Sequence, residues 1–222
     1  MSTGKKAQIS ELAETPLEGV ENYLQIVDQA KPDIKELAET DVLIAVKSAA
    51  INWVDLLMTS GHYQHQPPLP YTPGLEYGGE VLWMGEKAKD SAIKVGDKVM
   101  VQGFISGPRS PGRHQKYGGF ATYAVAPIEA LLPKPPQLSF DQSCNLLSNY
   151  ETAYHCLITR GKLQAGETVL IHGASGATGL AAVHIAKLLG ASVIATGRSD
   201  EKLAIVKEQG ADFVVNCKDV SY

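Results

Sequence analysis

His172 to Leu180 reads HGASGATGL, with glycines at 173, 176 and 179, directly after the apolar run ETVLI at 167–171. A glycine-rich turn between a strand and a helix brings backbone N–H groups against a pyrophosphate. It needs a tight reversal, a position without Cβ where the phosphates approach, and a small residue where helix meets strand. Gly173 or Ala174, Gly176 and Gly179 meet those demands. The helix from Thr178 then directs its N-terminal partial charge at the anion.

Outward from this loop, the pattern after Gln137 is helix-compatible over Asp141 to Ile158. It continues as strand (168–172), helix (178–189), strand (192–196), helix (200–209) and strand (212–216). Gly190 and Gly210 sit just past the two long helices, where a helix-ending glycine is expected. Two βαβ crossovers sharing a strand make one half of a doubly wound nucleotide-binding sheet. A complete sheet binds its dinucleotide where the strand order reverses, between strands 1 and 4, and no fourth strand is written before residue 222. Strand 168–172 is then expected to be an open edge, prone to pairing with another chain.

Upstream, residues 1–20 are polar and unpatterned, and are expected to be loose. From Tyr23 the pattern becomes β-rich: YLQIVDQA, DVLIAVKSAAI from Asp41, EYGGEVLWMG, DKVMVQ and ATYAVA, separated by Gly and Pro turns. Asn52 to Ser60 reads as one short helix with Asn52 as N-cap and Gly61 as its stop. HYQHQPPLPYTPG is extended loop, and Pro108 to Lys116 reads as a disordered basic surface loop. The expected division is a flexible segment 1–20, a β-rich domain 21–136 and a partial nucleotide-binding domain 137–222.

The second strand of the nucleotide unit ends at Gly197-Arg198-Ser199, where an NAD-dependent protein usually carries a carboxylate for the ribose hydroxyls. Glycine there removes a like-charge clash, and Arg198, Ser199 and Lys202 can bind a 2′-phosphate. NADPH is therefore expected rather than NADH; the same side chains also read as a solvated loop face. Asp200 complicates this and is expected to be the N-cap of the following helix.

Composition narrows the function classes. A 44% hydrophobic, 20% charged chain buries a core. Its net charge of −4, without a basic run, argues against nucleic acid as a partner. Cys144, Cys156 and Cys217 lack paired spacing, and six histidines fit no closed zinc pattern. The first twenty residues read as neither signal nor transit peptide, and no run approaches the ~20 apolar residues of a membrane span. A cytoplasmic protein is expected.

The order of pieces resembles the medium-chain dehydrogenase/reductase superfamily, and within it the zinc-independent, zeta-crystallin-like quinone oxidoreductases. The resemblance runs from about Val20 to the end. It rests on INWVDLLMTSGHY, LPYTPGLEYGGEV, VGDKV, YGGFATYAVAP, ETAYHCL and VLIHGASGATGLAAVHIAKLLGASVIAT, with PGxExxGxV met by Pro73, Gly74, Glu76, Gly79 and Val81. It implies a GroES-like domain, then the first half of a Rossmann sheet, and NADP(H). Asn52 and Thr152 then face the nicotinamide end, and Gly176, Ala177 and Thr178 the pyrophosphate, with Ser175 and Gly179 in the same loop.

The departures are as informative. Zinc-dependent relatives carry Cys near position 52 and His beside the glutamate, where this chain has Asn52 and Leu75, and the cysteine-bearing loop of their second zinc is here FISGPRSPGRHQKYGG. No metal is implied. Without that Lewis acid the acceptor is expected to be already activated, a quinone or an α,β-unsaturated carbonyl. Leu57 stands where some relatives have a tyrosine near the nicotinamide; Tyr63 and Tyr154 remain candidate donors, and no catalytic acid or base is assigned. The alternative is a non-enzymatic short product that binds a nucleotide or a partner. Homo-oligomerisation stays open.

Overall fold

In a computed structural model of the chain, residues 3–218 are described. Two compact units result, Met1–Asn145 and Leu146–Tyr222.

The first unit contains strands β1 (Thr3–Ile9), β2 (Leu24–Ala30), β3 (Asp41–Ala50), β4 (Glu76–Met84), β5 (Lys98–Val101), β6 (Tyr123–Pro127) and β7 (Leu131–Pro133). Its helices are α1 (Pro16–Glu18), α2 (Trp53–Thr59) and α3 (Phe140–Ser143). Five strands form an antiparallel sheet in the order β6-β3-β4-β5-β7. Val42 and Ile44 of β3, Val81 of β4, Val99 and Val101 of β5, and Ala124 and Ala126 of β6 form one buried cluster. The spacing by two along each strand puts these side chains on a single face, as the pleat requires.

Two expectations need correcting. Residues 1–20 are not all loose: β1 pairs with β2 from Thr3↔Ala30 to Ile9↔Leu24. Ile9 also exchanges both backbone hydrogen bonds with Tyr71, at 2.9 and 3.1 Å. Its buried residues are Gly4, Ala7 and Ile9, so the strand carries too few large apolar residues to stand out in sequence. Pro108 to Lys116 is not a disordered loop either, but two 3-10 turns, Gly107–Arg109 and Gly112–Lys116. Asp41, 2% exposed, binds the second turn through Arg113 at 2.6 Å and His114 at 2.9 Å. An interior carboxylate with charge-assisted donors is a firm anchor, invisible when only the exposed basic residues are counted.

The second unit contains α4 (Leu147–Tyr154), which runs on as a wider π-helical turn at His155–Arg160. Then follow β8 (Thr168–Ile171), α5 (Ala177–Leu188), β9 (Ser192–Gly197), α6 (Asp200–Glu208) and β10 (Phe213–Asn216). The helix expected over Asp141 to Ile158 is thus split. Its first piece, α3, packs on β3 and β4, and Cys144 lies 3.4 Å from the Ser48 hydroxyl, so both belong to the first unit.

The three strands are parallel in the order β10-β9-β8. Ile171, Val183, Ala186, Val193, Ala195 and Val206 pack together where α5 and α6 cover one sheet face. The alternate residues are less covered, with Leu170 of β8 52% and Phe213 of β10 63% exposed. Among the described residues β8 is paired on one side only.

An apolar strand edge of this kind recruits another strand. The 222-residue protein is expected to self-associate as its concentration rises. Leu170→Lys, which places a charge on the exposed side of β8, is expected to shift it toward monomer in sedimentation velocity.

Candidate functional site

At the end of β8 the chain reverses through Gly173, whose φ of +64° is left-handed and open to glycine at no steric cost. The three glycines divide the labour. A Cβ on Gly176 would meet only the Gly173 carbonyl oxygen, at 3.4 Å, so its outer side lies open to a ligand. A Cβ on Gly179 would collide with that carbonyl and lie 2.7 Å from the Ala174 Cα, so this glycine seats α5 against the loop. Gly176 is the N-cap of α5 and no side chain caps that end, which leaves the helix N–H groups for an anion. The Thr178 hydroxyl donates instead to Asn149 Oδ1 at 2.9 Å, tying α5 to α4.

A cavity of about 890 Å³ opens beside this loop, lined at its rim by Ser175, Gly176, Arg198, Ser199, Lys202 and Lys218. Among the described residues the lining holds three cations, Arg198, Lys202 and Lys218, and no carboxylate. The chemistry of that set suits a phosphate dianion, and the Gly176 opening suits a pyrophosphate. Gly197 continues the wall; a Cβ there would lie 3.0 Å from Leu203 Cδ2. The N-cap of α6 is Ser199, whose hydroxyl accepts from the Lys202 N–H at 3.4 Å. Asp200, expected as that cap, is instead the first helical residue, and its Oδ1 accepts from Asn216 Nδ2 at 2.7 Å.

Ser175, Gly176, Arg198, Ser199 and Lys202 therefore meet at one cavity, with Ala177, Thr178 and Gly179 opening the adjoining helix. Thr152 lies exposed on α4. The cavity also takes in His172, Thr196, Cys217 and Lys218, which the sequence reading missed. All stand at the carboxyl ends of the strands, where open α/β sheets bind ligands, and that rule could have found them.

Asn52 belongs to the first unit. It is the N-cap of α2, and its position is set by two carboxylates. Its backbone N–H donates to Asp55 Oδ2 at 2.9 Å, and its Nδ2 donates to Glu76 Oε2 at 3.1 Å. Asp55 Oδ1 accepts in addition from the N–H groups of Gly74 and Leu75, at 3.0 and 3.2 Å, which fixes the glycine turn before Glu76. Tyr63 accepts a 3.4 Å hydrogen bond from Arg109, and Tyr154 is half exposed on α4. Among the described residues no group of three or more His, Cys, Asp or Glu is placed to hold a metal ion.

This order of pieces, a GroES-like β domain followed by a Rossmann-like α/β unit, is that of the medium-chain dehydrogenase/reductases. Residues 38–136 match the family profile described as "Alcohol dehydrogenase GroES-like domain", and residues 177–222 that described as "Zinc-binding dehydrogenase". Human quinone oxidoreductase is 39% identical over 181 residues, 82% of this chain and 51% of the relative. A Nematostella vectensis "Quinone oxidoreductase-like protein 2 homolog" is 38% identical over 86% of the chain and 49% of its own length.

Among solved structures, quinone oxidoreductase from Coxiella burnetii superposes with a TM-score of 0.83 at 28% identity, over 99% of this chain and 64% of that one. The Escherichia coli quinone oxidoreductase complexed with NADPH gives 0.79 at 25% identity, over 98% and 60%. The chain belongs to the quinone oxidoreductase family. It spans about half the length of the relatives quoted by sequence.

Burial raises the Asp55 carboxyl from 3.8 to about 6, outweighing its three N–H donors and the nearby Arg109 charge. The folded protein thus holds this proton more tightly than the unfolded chain. The resulting stabilisation is fully present below about pH 3.8 and is lost as pH rises through about 6, a change on the order of 3 kcal/mol. The urea midpoint of the wild type relative to Asp55→Asn is expected to fall between pH 4 and pH 7.

Proposed function

We propose that this chain is the NADPH-binding part of an oxidoreductase that passes hydride to a quinone or an α,β-unsaturated carbonyl. The observation that carries this reading is the cavity beside the glycine loop, lined by Arg198, Lys202 and Lys218 and, among the described residues, by no carboxylate. NADH offers that site only ribose hydroxyls, whereas NADPH offers a dianion. The quinone oxidoreductase relatives support the choice of acceptor. No helix among the described residues is long and apolar enough to cross a membrane.

Each residue has a role in this reading. The uncapped start of α5, at Gly176, Ala177 and Thr178, holds the pyrophosphate by backbone N–H groups, with Ser175 and Gly179 shaping the turn. Arg198, Ser199 and Lys202 hold the 2′-phosphate. Asn52 and Thr152 serve the nicotinamide end, where an amide and a hydroxyl orient a carboxamide or a substrate oxygen without titrating. The cofactor supplies a hydride from C4 of its nicotinamide. The chain's own part is orientation: Asn52 reaches that task already fixed by Asp55 and Glu76.

A second reading, a non-enzymatic module that binds a nucleotide or a partner rather than reducing a substrate, draws on the single-sided pairing of β8 among the described residues. NADPH-dependent reduction of a quinone separates the two, and cofactor choice tests the phosphate site. In isothermal titration NADPH is expected to bind at least about tenfold more tightly than NADH. Arg198→Glu is expected to abolish that preference while leaving NADH affinity nearly unchanged. Equal affinity for NADPH and NADH in the wild type would sink the phosphate argument.

A further inference from the structure

One acid beside the phosphate cavity calls for explanation. Asp200 opens α6 between Ser199 and Lys202, at about the distance from the glycine loop where a ribose-binding carboxylate stands in NAD-dependent folds. Free to turn toward the cavity, it would oppose a 2′-phosphate by like-charge repulsion and favour the unphosphorylated nucleotide. It does not line the cavity.

Asn216, the last residue of β10, occupies it. The Asn216 Nδ2 donates to Asp200 Oδ1 at 2.7 Å. The Oδ1 of the same carboxamide accepts the backbone N–H of Lys218 at 3.0 Å, and Lys218 does line the cavity. One side chain therefore works at both ends. Its orientation is determined, because a carboxylate only accepts and a backbone N–H only donates, so flipping the amide would lose both bonds.

We infer that Asn216 is a positioning residue for cofactor choice. It holds Asp200 away from the 2′-phosphate and sets the turn that carries Lys218, the third cation of the cavity. The inference rests on the NADPH reading and extends it. Discrimination then depends on the third strand of the sheet as well as on the turn after the second. With Asp200 tethered, Arg198, Lys202 and Lys218 face the dianion with no acid among the described lining residues. Once it is released, one of the three is offset.

The test uses 2′,5′-ADP and 5′-AMP as probes, because they differ by the phosphate in question. Both are titrated into the wild type, Asn216→Ala, Asp200→Asn, the Asn216→Ala/Asp200→Asn double variant and Lys218→Ala. Asn216→Ala is expected to lower the preference for 2′,5′-ADP about tenfold, and adding Asp200→Asn to restore most of it. Lys218→Ala is expected to weaken 2′,5′-ADP and leave 5′-AMP unchanged. A merely structural role for Asn216 would weaken both probes alike, with no recovery in the double variant. A preference that Asn216→Ala leaves unchanged, or a loss that Asp200→Asn does not repair, overturns the inference alone. A wild type that binds neither probe overturns the cofactor reading and this inference with it.

Discussion

The nucleotide-binding unit depends on one close approach, that of α5 to the turn after β8. With a Cβ at Gly179 the helix would stand off from Gly173 and Ala174. The start of α5 would then move away from Gly176, and the open side of the loop would no longer coincide with the end of the helix. Ala174 is also locked to β9, its N–H donating to the Thr196 carbonyl at 3.0 Å. Loop, helix start and second strand are thus one rigid piece, and the cavity with its basic rim follows from it. Close packing leaves no room to restore that geometry by repacking neighbours.

Most of this unit was legible in the sequence because local chemistry and tertiary role agree there. The apolar runs of β8 and β9, the small-residue helix between them and the glycines that end each helix point to one arrangement. Legibility failed where a residue's partner is distant in sequence. Asp200 looked like a cap because Asp is a good one, yet Ser199 caps and Asp200 bonds Asn216, sixteen positions on. Lys218 sits past a strand end, marked only by the rule that open α/β sheets bind ligands there and by no motif of its own. The split of the expected helix at 141–158 has the same origin: α3 is held by the β-rich unit through contacts with β3 and β4.

The β-rich unit repeats the lesson. Four strands of its five-stranded sheet, β3 to β6, could be read from the sequence, but the three-residue β7 was not, and β1 could not be, since its neighbour β2 and its bonds to Tyr71 supply what its own composition lacks. The segment at 107–116 misled in the opposite direction. Its Arg and Lys suggest solvent, while Ser106, Ser110 and His114 are buried and Asp41, some seventy residues earlier, holds it. Charge counted along the chain says little about a loop whose counter-charge lies in the core.

Asp55 gathers the N–H groups of Asn52, Gly74 and Leu75 onto one carboxylate, across sequence separations of 3, 19 and 20 residues. Three amides that share an acceptor cannot be released independently, since a motion that withdraws the carboxylate frees them together. The start of α2 and the turn leading into β4 consequently form a single opening unit. In hydrogen–deuterium exchange these amides would lose protection with one common opening free energy, even though they belong to different elements.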